Sequence, residues 1–215
     1  MVYENDIKFP NGITVIGEKA YKNNHNLKNV VIPPTVTKIG TEAFCSCDNL
    51  ESVTILAPIT NIGAFVFAGC KNLTEIKLPP SITSIGESSF VGCDSLGDIV
   101  LPSSVASIGK KAFMGCIKLE NVNLPQQLAH IGKYAFLGCE SLESIELPPL
   151  LTLIDEAIWL GCKSLTSINI PSTVSMIEDQ AFLECNNIRS VTLSRHTTLM
   201  GDRIFPPCAR ITYYD

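Results

Sequence analysis

The sequence predicts a β-rich α/β repeat fold, a solenoid of about nine 23-residue coils that forms one domain over residues 1–215. Three columns of residues at constant spacing carry this expectation. An aromatic ring recurs every 23 residues without insertion or deletion, at Tyr21, Phe44, Phe67, Phe90, Phe113, Phe136, Trp159, Phe182 and Phe205. A second column runs Ile16, Ile39, Ile62, Ile85, Ile108, Ile131, Ile154, Ile177 and Met200, and a third runs from Leu27 through Leu50, Leu73 and their successors to Ile211. Self-similarity at this period marks stacked units, none of which can bury its apolar face alone. Function is then expected on the surface of the stack and not in one pocket.

Residues 73–95 serve as the type copy. Ile76 and Leu78 alternate with Glu75 and Lys77, the two-residue period of a half-buried strand. Pro79 ends that strand, because proline cannot donate to a ladder. The same proline recurs at Pro10, Pro33, Pro102, Pro125, Pro148 and Pro171, so every strand stops at one depth. A second extended piece carries Ile82 and Ile85, and Gly86 closes it. Glycine in this column predicts a tight or left-handed corner, with Asp155 and Glu178 as less sharp exceptions. Ser89 to Cys93 is then expected to form a single helical or 3₁₀ turn that drops Phe90 into the core.

Taken together, the pattern Leu-x-x-Ile-x-Leu-Pro-x-x-Ile-x-x-Ile-Gly-x-x-Ala-Phe-x-Gly-Cys resembles the BspA-like, or Treponema pallidum-type, leucine-rich repeat over about residues 5–214. The resemblance implies a right-handed leucine-rich repeat solenoid with a parallel sheet on one face. It implies relatives that are surface proteins binding host or matrix components, and it brings no catalytic residue. Two departures stand out. The proline slips by two in Leu56-Ala57-Pro58, and Ile158-Trp159 is a bulkier pair that should widen the seventh coil.

Charge narrows the partners. A net charge of −5 gives no electrostatic footprint for DNA or RNA, so no nucleic-acid partner is expected. The N-terminal residues lack the basic and apolar regions of a secretion signal, and no apolar run reaches membrane-spanning length. The expectation is a soluble chain without membrane insertion, at the cell surface if it is a fragment of an exported protein and intracellular otherwise.

Eight of nine cysteines, from Cys47 to Cys208 at 23-residue steps, share one column, and Cys45 lies outside it. A ladder spaces thiols along a line at about 5 Å, whereas zinc needs four ligands converging on a point. Disulfides fall within bridging range, but side chains in one column point the same way and no pairing is selected. Reduced structural thiols are the preferred reading, with bridges left open. His25, His130 and His196 fall in three different columns, and no catalytic or nucleotide-binding motif is present. We expect no cofactor, no metal and no enzymatic activity. Asn72-Leu73-Thr74 is a formal glycosylation sequon, meaningful only after export.

Candidate recognition residues are the variable ones flanking the strand's inward positions. These are Glu75, Lys77, Asp98, Glu120, Asn121, Asn123, Glu143, Glu146 and Asn169, which around coils 4 to 7 make an acidic and amide-rich face suited to a basic protein ligand. An alternative apolar contact is the run Leu153, Met176 and Leu199, which replaces the polar Lys38, Asn61 and Ser84 of earlier coils. Glu4 makes the first coil partly polar. Ile211 to Asp215 stop partway into a strand without a polar cap, so end-to-end self-association or a longer array is expected. The functional expectation is a non-enzymatic protein-binding module of adhesin or recognition type. The alternative is an intracellular scaffold or a structural subunit of a larger assembly.

Overall fold

A computed structural model describes residues 7–201 and 203–215. The chain winds as a parallel β-solenoid of short strands stacked coil on coil. Alternation of inward and outward residues sets each strand: in Asn29–Ile32, Val30 and Ile32 are buried while Asn29 and Val31 are exposed. Strands of successive coils pair in parallel 23 residues apart, as in Asn29–Ile32, Ser52–Ile55 and Glu75–Lys77. The main sheet face continues with Asp98–Ile99 beside Asn121–Val122, and with Ser167–Asn169, Ser190–Ser194 and Arg210–Tyr214. A second, narrower ladder joins Val15–Ile16 to Lys38–Ile39, then Asn61–Ile62 through Ser84–Ile85 and Ser107–Ile108 to His130–Ile131, then Leu153–Ile154 through Met176–Ile177 to Thr198–Leu199.

Between the two faces the chain turns on backbone hydrogen bonds that the sequence supplies. The amide three residues after each strand-ending proline donates back to the proline carbonyl, as Ile82 does to Pro79 at 3.2 Å. One continuous apolar core runs from Ile16 to Ile204. Rings of the aromatic column stack through it at centroid separations of 5.2–5.6 Å from Phe44 to Phe136, within the range for offset stacking. The seventh-coil Trp159 sits 6.2 Å from Phe136 and 5.1 Å from Phe182.

The α/β assignment is corrected by the structure. No helix occurs among the described residues, and the fold is β throughout. Where a helical or 3₁₀ turn was expected, Ser88 and Gly92 both take left-handed φ values, 52° and 67°. A helix needs negative φ at every residue, so two left-handed residues four apart exclude one. Their amides are also committed elsewhere. Ser88, Phe90 and Gly92 donate across to Lys110, Ala112 and Met114 of the next coil at 2.8–2.9 Å, so alternate amides bond between coils and not within a helix.

The corner at Gly86, expected to be tight or left-handed, is not left-handed. Gly40, Gly86, Gly109 and Gly132 do not have positive φ; glycine is required there by close approach. A Cβ would lie 2.4 Å from the Glu18 amide nitrogen at Gly40, and 2.6 Å from the Ile62 carbonyl oxygen at Gly86. The first corner with a side chain, Asp155, falls where the second ladder splits between His130–Ile131 and Leu153–Ile154. The other split in that ladder, between Lys38–Ile39 and Asn61–Ile62, follows the slipped proline of Leu56-Ala57-Pro58.

The last coil departs from the 23-residue register. Ile211 pairs with Val191 and not with Ile188, and Leu199 pairs with Ile177 and not with Met176. Arg210–Tyr214 is therefore a full five-residue strand, tied back by the Tyr214 hydroxyl donating to the Ile170 carbonyl at 2.7 Å. Glu4, expected to make the first coil polar, lies outside the described residues.

Candidate functional site

All nine candidate recognition residues, Glu75, Lys77, Asp98, Glu120, Asn121, Asn123, Glu143, Glu146 and Asn169, are exposed on the main sheet face. Strand alternation causes this, since each neighbours an inward residue such as Ile76, Ile99, Val122, Ile145 or Ile168. Some of their charge is locally answered. The Lys77 ammonium lies 3.0 Å from the Glu75 carboxylate, and the Asn121 side-chain amide donates to Asp98 at 3.0 Å. Both pairs are solvated and contribute little to stability. Glu120, Glu143 and Glu146 have no ion pair or side-chain hydrogen bond among the described residues, so three carboxylates stand unanswered on adjacent coils.

The face is not one continuous sheet. Strand Glu75–Lys77 ends one group and Asp98–Ile99 begins the next without pairing to it. Residues 143–146, expected as a strand, lie outside any strand pairing, with one backbone bond kept to the preceding coil, from the Glu143 amide to the Glu120 carbonyl at 3.4 Å. At the first gap a groove of about 680 Å³ opens across the face. Ile76, Leu78, Pro80, Val100 and Pro102 form its apolar lining, Glu75 and Asp98 stand on it, and Gly97 leaves one side without a side chain.

The apolar alternative is not brought into line. Leu153 and Met176 pair and are half-buried, whereas the one-residue slip of the last coil moves Leu199 opposite Ile177, where it is exposed.

Behind the face, the cysteine column is built into the backbone. Each thiol from Cys47 to Cys185 donates to the carbonyl of the aromatic residue 26 positions earlier, as Cys116 does to Phe90 at 3.2 Å. All nine cysteines are free; Cys45 is half-buried and Cys208 exposed. Burial pushes the Cys116 thiol up to about 12, and burial likewise holds Cys93, Cys139 and Cys162 well above the usual thiol range. These are packing groups held neutral, poor nucleophiles at ordinary pH.

Residues 3–118 and 106–214 both match the family model described as BspA type leucine rich repeat region (6 copies). The chain belongs to the BspA-type leucine-rich repeat family. A crystal structure of a T. pallidum leucine-rich repeat protein is similar to this BspA-type chain, at 28% identity and a TM-score of 0.72 over 81% of this chain and 82% of that one. The pneumococcal vaccine antigen PcpA is similar in fold at 18% identity and a TM-score of 0.55, over 94% of this chain and 61% of that one. Among curated proteins none matches the chain in sequence. No helix among the described residues is long and apolar enough to cross a membrane.

The sequence reading found the outward columns of this BspA-type array and missed the interruptions between them. One signal was available: Gly97 is the only glycine in the column Lys28, Glu51, Thr74, Gly97, Glu120, Glu143, Thr166 and Arg189, and glycine inside a strand pattern marks a weakened or interrupted ladder.

Proposed function

We propose that the chain is a non-enzymatic protein-binding module of adhesin or recognition type, acting through the sheet face between Glu75 and Asn169. The supporting observation is the set of exposed carboxylates at Glu120, Glu143 and Glu146, with no partner among the described residues. Such a set costs self-repulsion within the chain and is answered by a basic partner, whose encounter it accelerates. Leucine-rich repeats present such faces on a rigid stack, and the BspA type is a member of that class.

The test compares proteins captured from an extract by the parent, by Glu120→Lys with Glu143→Lys, and by the charge-matched control Glu87→Lys with Glu184→Lys. A specific set of proteins should be retained by parent and control and lost by the sheet-face variant, with retention falling as salt rises. Equal capture by all three removes the face from consideration.

The scaffold or structural-subunit reading has one observation in its favour. Free thiols that include the exposed Cys208 suit a reducing compartment. Fractionation of the native cells separates the two, since an adhesin must appear on the surface and a scaffold must not.

A further inference from the structure

We infer that the gap between strands Glu75–Lys77 and Asp98–Ile99 is a docking groove for an extended peptide carrying a large aliphatic side chain beside lysine or arginine. This rests on the protein-binding reading and specifies where the face binds and what it takes. Four observations converge on the groove. The parallel ladder stops there, so backbone groups along two strand edges face an open channel in place of each other. Leu78 is only partly buried, as is Leu147 beside the second interruption of the face, while Ile32, Ile55, Leu101, Leu124, Ile170 and Leu193 at the same repeat position are buried. The gap has uncovered one rung of the core. Val100 stands 76% exposed on the other bank, the most exposed large apolar side chain among the described residues. Between them Gly97 adds nothing to fill the space, and Pro80 and Pro102 form stiff ends that lack amide donors.

Shape and charge select the occupant. The groove is apolar along its floor, so it rewards burial of an aliphatic side chain, at about 25 cal/mol per Å² removed from water. Backbone groups of the two strands that are not bonded to each other leave donors and acceptors for an extended chain lying along the groove, which a helix cannot use because its own backbone groups are satisfied internally. The charged groups lining the groove are Glu75 and Asp98 against Lys77, which already lies on Glu75, and on the next coil beside Gly97 the charges of Lys118 and Glu120 offset each other. The surplus is negative. A lysine or arginine neighbouring the buried side chain meets Asp98, and an acidic peptide is repelled.

The probe is a blocked synthetic peptide of alternating lysine and leucine, titrated into the ¹⁵N-labelled full chain and followed by amide chemical shifts. Saturable shifts should centre on Gly97, Asp98 and Val100. Replacing leucine by serine should weaken the peptide by roughly tenfold or more, since one buried leucine is worth about 1.5–3 kcal/mol and each 1.4 is tenfold. Replacing lysine by glutamate should abolish binding. Gly97→Leu should block the groove without disturbing the coil, because a Cβ there meets nothing nearer than the Lys118 carbonyl at 3.9 Å. Should that variant misfold, Val100→Asp provides the second test: lysine peptides should still bind, with no preference for leucine over serine. Equal binding of serine and leucine peptides to the parent overturns the proposal, as do shifts confined to residues 143–146. Shifts at 97–100 that depend on protein concentration without peptide also overturn it, in favour of a second copy of the chain. If the groove fails while Glu120→Lys with Glu143→Lys still releases partners, the docking site falls and the protein-binding reading stands; if both are null, both fall.

Discussion

Replacing Trp159 by phenylalanine should leave the protein as stable as the parent or slightly more so, although it shrinks a fully buried core residue. The reason is local. Trp159 is completely buried in a column otherwise occupied by phenylalanine and tyrosine, and its indole N–H has no hydrogen-bond partner among the described residues. A buried unsatisfied donor costs about 1–3 kcal/mol. Against this, phenylalanine is smaller by ~40 Å³, which at ~24 cal/mol per Å³ is about 1 kcal/mol of cavity, with a comparable loss of apolar burial if the site does not close. The two sides nearly cancel, so the change should fall within about 1 kcal/mol of zero, whereas truncating a ring, as in Phe113→Ala, should cost about 3–5 kcal/mol. Collapse of the wider 6.2 Å spacing to Phe136 would move the result toward stabilisation. Urea unfolding should be followed by circular dichroism, because the substitution removes the sole tryptophan. A loss of 3 kcal/mol or more would refute the reasoning and show that the indole N–H is satisfied in the folded chain.

Two further outcomes follow from the coil contacts. Gly109→Ala should destabilise by about 1–3 kcal/mol through overpacking, because its Cβ would lie 2.8 Å from the Glu87 backbone nitrogen; Gly63→Ala, whose nearest atom is 3.5 Å away, should change stability by less than half of that, as thermal melts of the two variants would show. In the cysteine column, a thiol reagent at neutral pH should label Cys45 and Cys208 quickly in the native chain and all nine cysteines only in denaturant. The thiols of Cys70, Cys93, Cys116, Cys139 and Cys162 have raised values when folded, so between the ordinary thiol range near 8.5 and about 12 the unfolded chain holds fewer protons than the native one. Stability should therefore be unaffected by these groups below that window and fall as pH rises through it. Stability that holds constant between pH 9 and 11 would contradict the burial of the column.

The periodic core was legible because every coil must present the same ring, the same isoleucine and the same thiol to its neighbour. An insertion would dislodge all three at once, so the spacing is written plainly in the residues. The turn between Ser88 and Gly92 was not legible in the same way. Its left-handed position is occupied by Lys19, Glu42, Phe65, Ser88, Lys111, Tyr134, Ala157 and Gln180, a set with no shared chemistry to announce positive φ. Local propensity permits a helical turn there, and bonding between coils overrides it. The slip in the last coil was hidden because Ile211 and Met200 fit the apolar columns by type, while pairing placed Ile211 opposite Val191. On the sheet face, outward residues were identified from alternation alone, but alternation carries no information on whether adjacent strands pair.

The parallel sheet does not by itself hold the stack together. Strand pairing fails on the sheet face after Glu75–Lys77 and around residues 143–146, and in the second ladder before Asn61–Ile62 and before Leu153–Ile154. Between His130–Ile131 and the next coil it fails on both. The turn side has no such gap. The amide of each aromatic residue donates to the following coil at 2.8–2.9 Å, from Tyr21 to Ala43 through Phe136 to Ile158 and on to Phe182 with Ile204. At the doubly open junction this side is reinforced by the Tyr134 hydroxyl donating to Glu156 at 2.5 Å and by Lys133 at 3.2 Å from the same carboxylate. The aromatic column thus supplies both the ring stack and the continuous hydrogen-bonded spine. With coil-to-coil attachment secured there, the sheet face can lose pairing between Glu75–Lys77 and Asp98–Ile99 without the stack separating, and the groove that results can carry a glycine and an exposed valine that a sheet required for stability could not tolerate.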